Sequence, residues 1–109
     1  MTIPSEITFF ERFESDILSG KKTITLRDES ESDYVVNTHV DVKTLEQGRY
    51  FCRLKILKVE PILFKDLCDF HAKQENMTLA ELKSVIQDIY PGIEQLYMIS
   101  YERVDALKP

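Results

Sequence analysis

The sequence contains little cysteine and no long run of apolar residues. Its two cysteines, Cys52 and Cys68, are too few to form a disulfide framework, so free thiols in a reducing cytoplasm are expected. No apolar run reaches the length that a membrane-spanning helix needs. The N-terminal segment also lacks the basic and apolar stretches of a secretory signal. These absences predict a cytoplasmic protein that does not enter a membrane.

Positive charge is also scarce. Lys and Arg number 14 against 19 Asp and Glu, which gives a net charge of −5. Proteins that bind a phosphate backbone tightly usually present a cationic surface, so tight nucleic-acid binding is not expected. A small ligand that is neutral or carries a single charge remains compatible with this balance.

The composition is that of a folded protein, with 43% hydrophobic and 30% charged residues in a chain of 109. This length fits one domain over residues 1–109, with a core that can hold one small-molecule pocket but leaves little room for a large cofactor. The sequence contains no internal repeat, linker, low-complexity tract or coiled-coil pattern. We therefore expect a single domain that needs no cofactor and acts as a monomer.

The spacing of apolar residues predicts a helix, about two to four strands, two further helices and a final strand. Capping boxes at Thr8 and Thr78 mark the starts of the first and third helices, Gly20 ends the first helix, and Pro61 ends the longest strand. In chain order, the predicted elements are a helix over Phe9–Ser19, strands over Lys22–Arg27, at Val40 and Val42, and over Tyr50–Val59, helices over Leu63–Asn76 and Leu79–Ile89, and a strand over Leu96–Arg103.

Segregated helices and antiparallel strands are typical of the α+β class. A sheet of few strands must protect its edges from pairing with other chains. We therefore predict an α+β fold built on a small, partly closed β-barrel flanked by helices.

Lys22 and Thr25 form the first candidate for chemistry. An alcohol is a weak nucleophile until a base takes its proton, and lysine is such a base only as a neutral amine, which a closed pocket favours. Residues three apart on a strand point to opposite faces, so these two side chains can meet only if Lys22 lies in the turn after Gly20. The alternative is a solvated lysine at a strand edge.

Arg27 is the second candidate. Strand alternation places Thr23, Thr25 and Arg27 on one face and Ile24 and Leu26 on the other. The apolar pair would normally face the core, but in a barrel the polar row can line a cavity instead. A guanidinium beside Thr25 is well suited to orient a carbonyl group or a nucleobase edge, which makes Arg27 a candidate substrate-binding residue.

Cys68, His71 and Glu75 form the third candidate. On a continuous helix they share one face, and all three are zinc-ligand types. Three adjacent ligands on one helix rarely converge on a tetrahedral ion, so an ordinary His71–Glu75 pair beside a cysteine is the competing interpretation. Metal-dependent hydrolysis through His71 and Glu75 stays open as an alternative.

Four segments of the chain carry a resemblance to a known family: Ile7–Phe13, Gly20–Ser32, His71–Thr78 and Ile89–Gly92. The second contains the strand motif Lys-Thr-Ile-Thr-Leu-Arg-Asp, and the third contains the stretch Gln-Glu-Asn-Met. These segments resemble the ASCH-domain family, whose fold is similar to the PUA RNA-binding domain. More narrowly, they resemble its bacterial N4-acetylcytidine amidohydrolase branch, to which the combination of the two motifs is specific, and the likeness spans nearly the whole chain.

The resemblance implies a barrel flanked by helices around a central pocket, and a metal-independent hydrolase that removes the acetyl group of N4-acetylcytidine. Lys22 would be the general base, Thr25 the nucleophile and Glu75 the proton donor. The implied substrate is an acetylated cytosine nucleoside, with the free base and the nucleotide as open alternatives. A non-catalytic RNA-binding module of the PUA type is the competing function.

Overall fold

The computed structural model describes residues 3–104. The two ends of the domain predicted over residues 1–109, including the start of the N-terminal segment, lie outside the described residues. The described chain contains five strands and three α-helices. In chain order they are β1 (Glu6–Phe9), α1 (Glu14–Ser19), β2 (Ile24–Arg27), β3 (His39–Thr44), β4 (Tyr50–Leu63), α2 (Asp69–Gln74), α3 (Leu79–Ile89) and β5 (Gln95–Arg103).

The five strands form one mixed sheet in the order β1-β3-β4-β5-β2. β1 runs parallel to β3, and all other neighbours are antiparallel. One sheet with a few helices agrees with the predicted α+β class. The predicted partly closed barrel is not confirmed, because β1 and β2 lie at opposite edges and are not paired with each other. Both edge strands are only four residues long, and such short edges need little protection.

The predicted helix over Phe9–Ser19 is wrong in its first half. Residues from Glu6 to Phe9 form a strand, and Thr8 pairs with β3 instead of capping a helix. A short 3-10 turn follows, and only Glu14–Ser19 is α-helical. Two periodicities overlap here, because Ile7 and Phe9 alternate into the core while the later aromatic residues follow helical spacing.

Pro61 does not end the longest strand, which continues to Leu63 and pairs Pro61 with Tyr97 of β5. β3 pairs with β4 only as far as Lys55, so beyond that residue β4 has a strand neighbour on one side only. A residue without an N–H is tolerated at such an open edge.

The predicted helix over Leu63–Asn76 is also shorter than expected. A 3-10 turn is followed by extended backbone at Cys68, and only Asp69–Gln74 is α-helical. The next helix is confirmed, and the Thr78 side chain and Glu81 cap it reciprocally as predicted. The final strand is confirmed as well.

Two clusters of buried apolar side chains form the core. The larger cluster joins the sheet to the segment around α1, and the smaller one surrounds α2 and α3. Phe13 of the larger cluster and Leu82 and Ile86 of the smaller cluster line the same cavity, so this cavity lies where the clusters meet. Among residues 3–104, no helix is long and apolar enough to cross a membrane.

Candidate active site

Lys22 lies in the turn between α1 and β2. Gly20 ends α1 with a left-handed φ of 83°, a conformation that glycine adopts without steric cost. The Lys22 amide then donates to the carbonyl of Asp16 at 3.0 Å, and β2 begins only at Ile24. Strand alternation therefore does not apply to Lys22, which satisfies the geometric condition for meeting Thr25.

The Lys22 side chain is buried, with 2% of the residue exposed, so it is not a solvated lysine at a strand edge. Its ammonium forms a hydrogen bond and ion pair with the Glu75 carboxylate. Nζ also lies 4.8 Å from the centroid of the Phe13 ring and 6.0 Å from that of Phe9. One carboxylate and two ring faces thus replace the water that a lysine normally has around it.

This environment changes the acidity of the lysine. Burial lowers the pKa of Lys22 below its ordinary value of 10.5, because a low dielectric disfavours the charged form. The Glu75 carboxylate opposes this and raises the pKa, Arg27 lowers it further, and Asp16 raises it slightly. The net direction is downward, toward the neutral amine that a general base requires.

Thr25 is buried on β2 and receives a hydrogen bond from Arg27. The guanidinium Nε donates to Thr25 Oγ1 at 3.0 Å. Because a guanidinium can only donate, the threonine oxygen is the acceptor, and its own hydrogen remains available to a base. Arg27 is held in turn by Glu31 at 2.7 Å and by the carbonyl of Thr8 at 2.7 Å.

Lys22, Thr25, Arg27 and Glu75 all line one cavity of about 330 Å³. This volume is of the size that small-ligand pockets have. The Glu75 side chain is 16% exposed and so reaches the cavity while it contacts the buried lysine. Much of the remaining wall is apolar, with Phe10, Leu45, Met77, Val85 and Ile89 among its residues.

The third set of candidate residues is not brought together as a metal site. α2 begins after Cys68 and ends at Gln74, so the three residues do not share one continuous helix. His71 Nδ1 accepts the Cys68 amide hydrogen at 3.0 Å, while Glu75 contacts Lys22. Within residues 3–104, no three His, Cys, Asp or Glu side chains are arranged to hold a metal ion.

Two residues near the site were not identified from the sequence. The Gln74 side-chain oxygen accepts from the amides of Thr23 and Ile24 at 2.8 and 3.3 Å. Tyr101 is buried on β5. This burial is the main cause that raises the pKa of its hydroxyl, and the negative charge of Glu75 raises it further. Gln74 and Thr23 are 51 residues apart, so local spacing carries no signal for their contact.

No family model matches the chain, but whole proteins do. The chain is 70% identical over 104 residues to the N(4)-acetylcytidine amidohydrolase of Vibrio vulnificus strain YJ016, and this alignment covers 95% of the chain and 100% of that protein. It is 61% identical over 97 residues to the protein of the same name from Shewanella sp. strain W3-18-1, covering 89% of this chain and 94% of that protein.

Solved structures of much lower identity share the fold. A protein of Enterococcus faecalis V583 from the family DUF984 aligns with a TM-score of 0.72 at 17% identity, covering 96% of this chain and 78% of that one. The ASCH domain of Lactobacillus crispatus JV V101 aligns with a TM-score of 0.66 at 18% identity, covering 83% of this chain and 69% of that one.

Proposed function

The chain belongs to the N(4)-acetylcytidine amidohydrolase family, and we propose that it hydrolyses the N4-acetyl amide of N4-acetylcytidine to cytidine and acetate. Thr25 is the nucleophile, Lys22 the general base, Glu75 the proton donor and Arg27 the substrate-binding residue. The observation that carries the proposal is the buried contact of Lys22 with Glu75 on the same cavity wall as Thr25. The chemistry uses only these side chains and needs no metal ion.

The first step is a proton transfer within the Lys22–Glu75 pair. The ammonium gives its proton to the carboxylate and leaves a neutral amine beside a carboxylic acid. Such a shift is costly in water, but burial of Lys22 disfavours its charged form and reduces that cost. One transfer therefore prepares both the base and the acid.

The second step is attack by Thr25. The Lys22 amine takes the hydroxyl proton while Oγ1 forms a bond to the acetyl carbon, and the carbonyl electron pair moves onto its oxygen. Arg27 already donates to Thr25 Oγ1, and each of its two NH₂ groups carries a second hydrogen beyond those given to Glu31 and Thr8. These donors hold the acetyl oxygen and stabilise the charge that develops on it.

The third step breaks the amide bond. The Glu75 acid protonates N4 as the carbon–nitrogen bond breaks, cytidine leaves, and the acetyl group stays on Thr25 as an ester. The pyrimidine ring delocalises the charge on the departing nitrogen, so cytidine is a better leaving group than the alkyl amine of an ordinary amide. Lys22 is now an ammonium and Glu75 a carboxylate, which is the protonation state in which the pair began.

Hydrolysis of the ester repeats the same proton transfers. After a second shift within the pair, Lys22 takes a proton from water as the water oxygen attacks the acetyl carbon. Glu75 returns its proton to Thr25 Oγ1, and acetic acid leaves. The site is then restored without any other reactant.

The surroundings of the site fit further parts of this proposal. We propose that residues 1–109 form one ASCH domain that acts as a monomer in the cytoplasm. Neither the buried Cys52 nor the exposed Cys68 is part of a disulfide, which is the state that a reducing compartment favours.

The test is to follow cytidine and acetate release from N4-acetylcytidine by the purified protein in EDTA. An N-acetyl alkyl amine serves as the comparison substrate. Parallel assays with N4-acetylcytosine and N4-acetylcytidine monophosphate show whether the free base, the nucleoside or the nucleotide is the preferred substrate. We expect turnover of N4-acetylcytidine that EDTA does not reduce and far slower cleavage of the alkyl amide. Absence of turnover, together with salt-sensitive binding of structured RNA, would instead select the non-catalytic RNA-binding module.

A further inference from the structure

Gln74 connects the end of α2 to the start of β2. Its side-chain oxygen accepts from two successive backbone amides, those of Thr23 and Ile24. Each of the two connected segments supplies one member of the proton-transfer pair, because Lys22 directly precedes Thr23 and Glu75 directly follows Gln74. The contact therefore lies one residue away from both catalytic side chains.

Asn76 makes a second connection on the other side of Glu75. Its side-chain amide donates to the Asp16 carboxylate on α1, and the Asp16 carbonyl accepts the backbone amide of Lys22 at 3.0 Å. Asn76 has a φ of 57°, a left-handed conformation that asparagine tolerates better than most residues. Glu75 is thus held between two hydrogen-bonded connections to the turn that carries Lys22.

The helix α2 holds Glu75 through the backbone amide of this residue, which donates to the carbonyl of Ala72. α2 is only six residues long and Glu75 is its C-cap, so the regular helix ends before the catalytic carboxylate. A residue at a helix terminus is prone to fraying unless other contacts hold it. Proton transfer also requires hydrogen-bond distance, and a displacement of about 1 Å costs on the order of 10²-fold in rate.

We propose that Gln74 and Asn76 are positioning residues that hold the Glu75 carboxylate on the Lys22 amine by fastening the end of α2 to the α1–β2 turn. This inference rests on the proposed function, since it assigns a role within the same proton-transfer pair. It also explains why an uncharged side chain suits position 74. A carboxylate there could accept the same two amide hydrogens, but its negative charge would favour the ammonium form of Lys22.

The test compares substitutions at position 74 that separate hydrogen bonding from charge. Gln74→Met keeps the approximate shape and removes the acceptor, whereas Gln74→Glu keeps an acceptor and adds a charge. Asn76→Gly removes the second connection without penalising the left-handed backbone. Lys73→Met is the matched control, because Lys73 is an exposed neighbour on α2 outside the site.

We expect Gln74→Met to lower kcat by about 10- to 100-fold with little change in KM, as a misplaced proton donor should. Asn76→Gly should show the same pattern with a smaller loss. Lys73→Met should retain the wild-type kcat. A structural role alone would instead lower the amount of folded enzyme and leave the properties of the remaining sites unchanged.

The pH profile distinguishes these outcomes. Lys22 faces Glu75 from the end of α2, Asp16 from α1 and Arg27 from β2, and the Glu75 contact raises its pKa. Loosening Glu75 in Gln74→Met should move the high-pH limb of kcat/KM to lower pH, whereas the added charge in Gln74→Glu should move it to higher pH. Nitrogen NMR titration of the Lys22 amine measures the same two shifts without turnover.

A wild-type kcat and an unmoved limb in Gln74→Met and Asn76→Gly would overturn the inference. So would a loss of kcat in Lys73→Met equal to that in Gln74→Met. If the wild-type protein itself fails to deacetylate N4-acetylcytidine, the proposed function fails. The NMR shifts then still decide whether Gln74 holds Glu75 on Lys22.

Discussion

Lys22 is an unusual residue for a soluble fold, since lysine is rarely buried unless it is paired. Here the Glu75 carboxylate and the faces of Phe9 and Phe13 surround its ammonium. These partners do not compensate fully for the lost water, because the pKa of Lys22 remains below its ordinary value. A group held in this way is destabilised as an ammonium and therefore gives up its proton more readily, which leaves the neutral amine that a general base requires.

The first prediction concerns the dependence of the proposed activity on pH. The mechanism needs one proton shared by Lys22 and Glu75, so kcat/KM should follow a bell-shaped profile that belongs to the pair rather than to either residue. Activity falls at high pH as Lys22 loses the shared proton, and this limb should lie below the ordinary lysine pKa of 10.5. Initial rates across the pH range check this, and a rate that still rises above pH 10.5 would contradict it.

The second prediction is that the pair costs stability. Replacing a buried ion pair with uncharged side chains is often neutral or stabilising. The double variant Lys22→Met/Glu75→Gln should therefore be inactive yet more stable than the wild type at neutral pH, by about 1–2 kcal/mol in urea unfolding. Because the folded-state pKa of Lys22 is lowered, the unfolded chain binds more protons between that pKa and 10.5. The free energy of unfolding of the wild type consequently rises with pH across this window. The difference in stability between the double variant and the wild type should therefore shrink.

The exposed pair formed by Lys43 and Glu6 provides the control for this measurement. Lys43→Met/Glu6→Gln changes the same residue types on the surface, where ion pairs contribute little. It should alter neither stability nor activity appreciably. A double variant at the buried pair that is clearly less stable than the wild type would show that the pair supports the fold.

At the scale of the secondary structure elements, the turn after α1 determines where Lys22 points. Gly20 was identified from the sequence as the end of a helix, and its left-handed φ confirms this. The strand that precedes this helix was missed, because the pairing of β1 with β3 depends on residues far along the chain. Short elements are decided by such distant contacts more than by local propensity.

The third prediction compares two glycines in left-handed conformations. Gly20 and Gly48 have φ values of 83° and 68°, and an added Cβ would meet no atom within 4 Å at either position. Alanine should therefore cost similar stability at both, about 1–2 kcal/mol from the backbone alone. Only Gly20→Ala should also reduce kcat, because it redirects the turn that presents Lys22. Thermal unfolding and initial rates measure the two effects, and equal activity of the two variants would contradict the account.

At the scale of the whole molecule, the site depends on the joining of two parts of the core. Lys22 and Glu75 are 53 residues apart, and the cavity lies between the cluster that includes Phe13 and the one that includes Leu82. Local spacing left the Lys22–Thr25 pairing open and named Glu75 only as a candidate metal ligand. The resemblance to a known family was needed to assign Glu75 as the proton donor. The contacts of Gln74, which depend on the same joining, could not be anticipated.

The sheet shows the same limit. Its strands beyond β1 were largely anticipated from alternation, and their mixed order was not, since a parallel pair at one edge leaves no local mark in the sequence. The expected barrel rested on the need to protect sheet edges. Two four-residue edge strands meet that need without closure.

The fourth prediction tests the nucleophile, on which the whole account depends. The measurement is kcat/KM for N4-acetylcytidine in EDTA for the wild type, Thr25→Val and Thr25→Ser, with quenched reactions mapped for an acetylated peptide. Valine keeps the shape of threonine without its hydroxyl, so Thr25→Val should lose at least about 10³-fold in activity, whereas serine should retain part of it. The acetyl group should be found on Thr25. Wild-type activity in Thr25→Val, or an acetyl group trapped on another residue, would contradict the account.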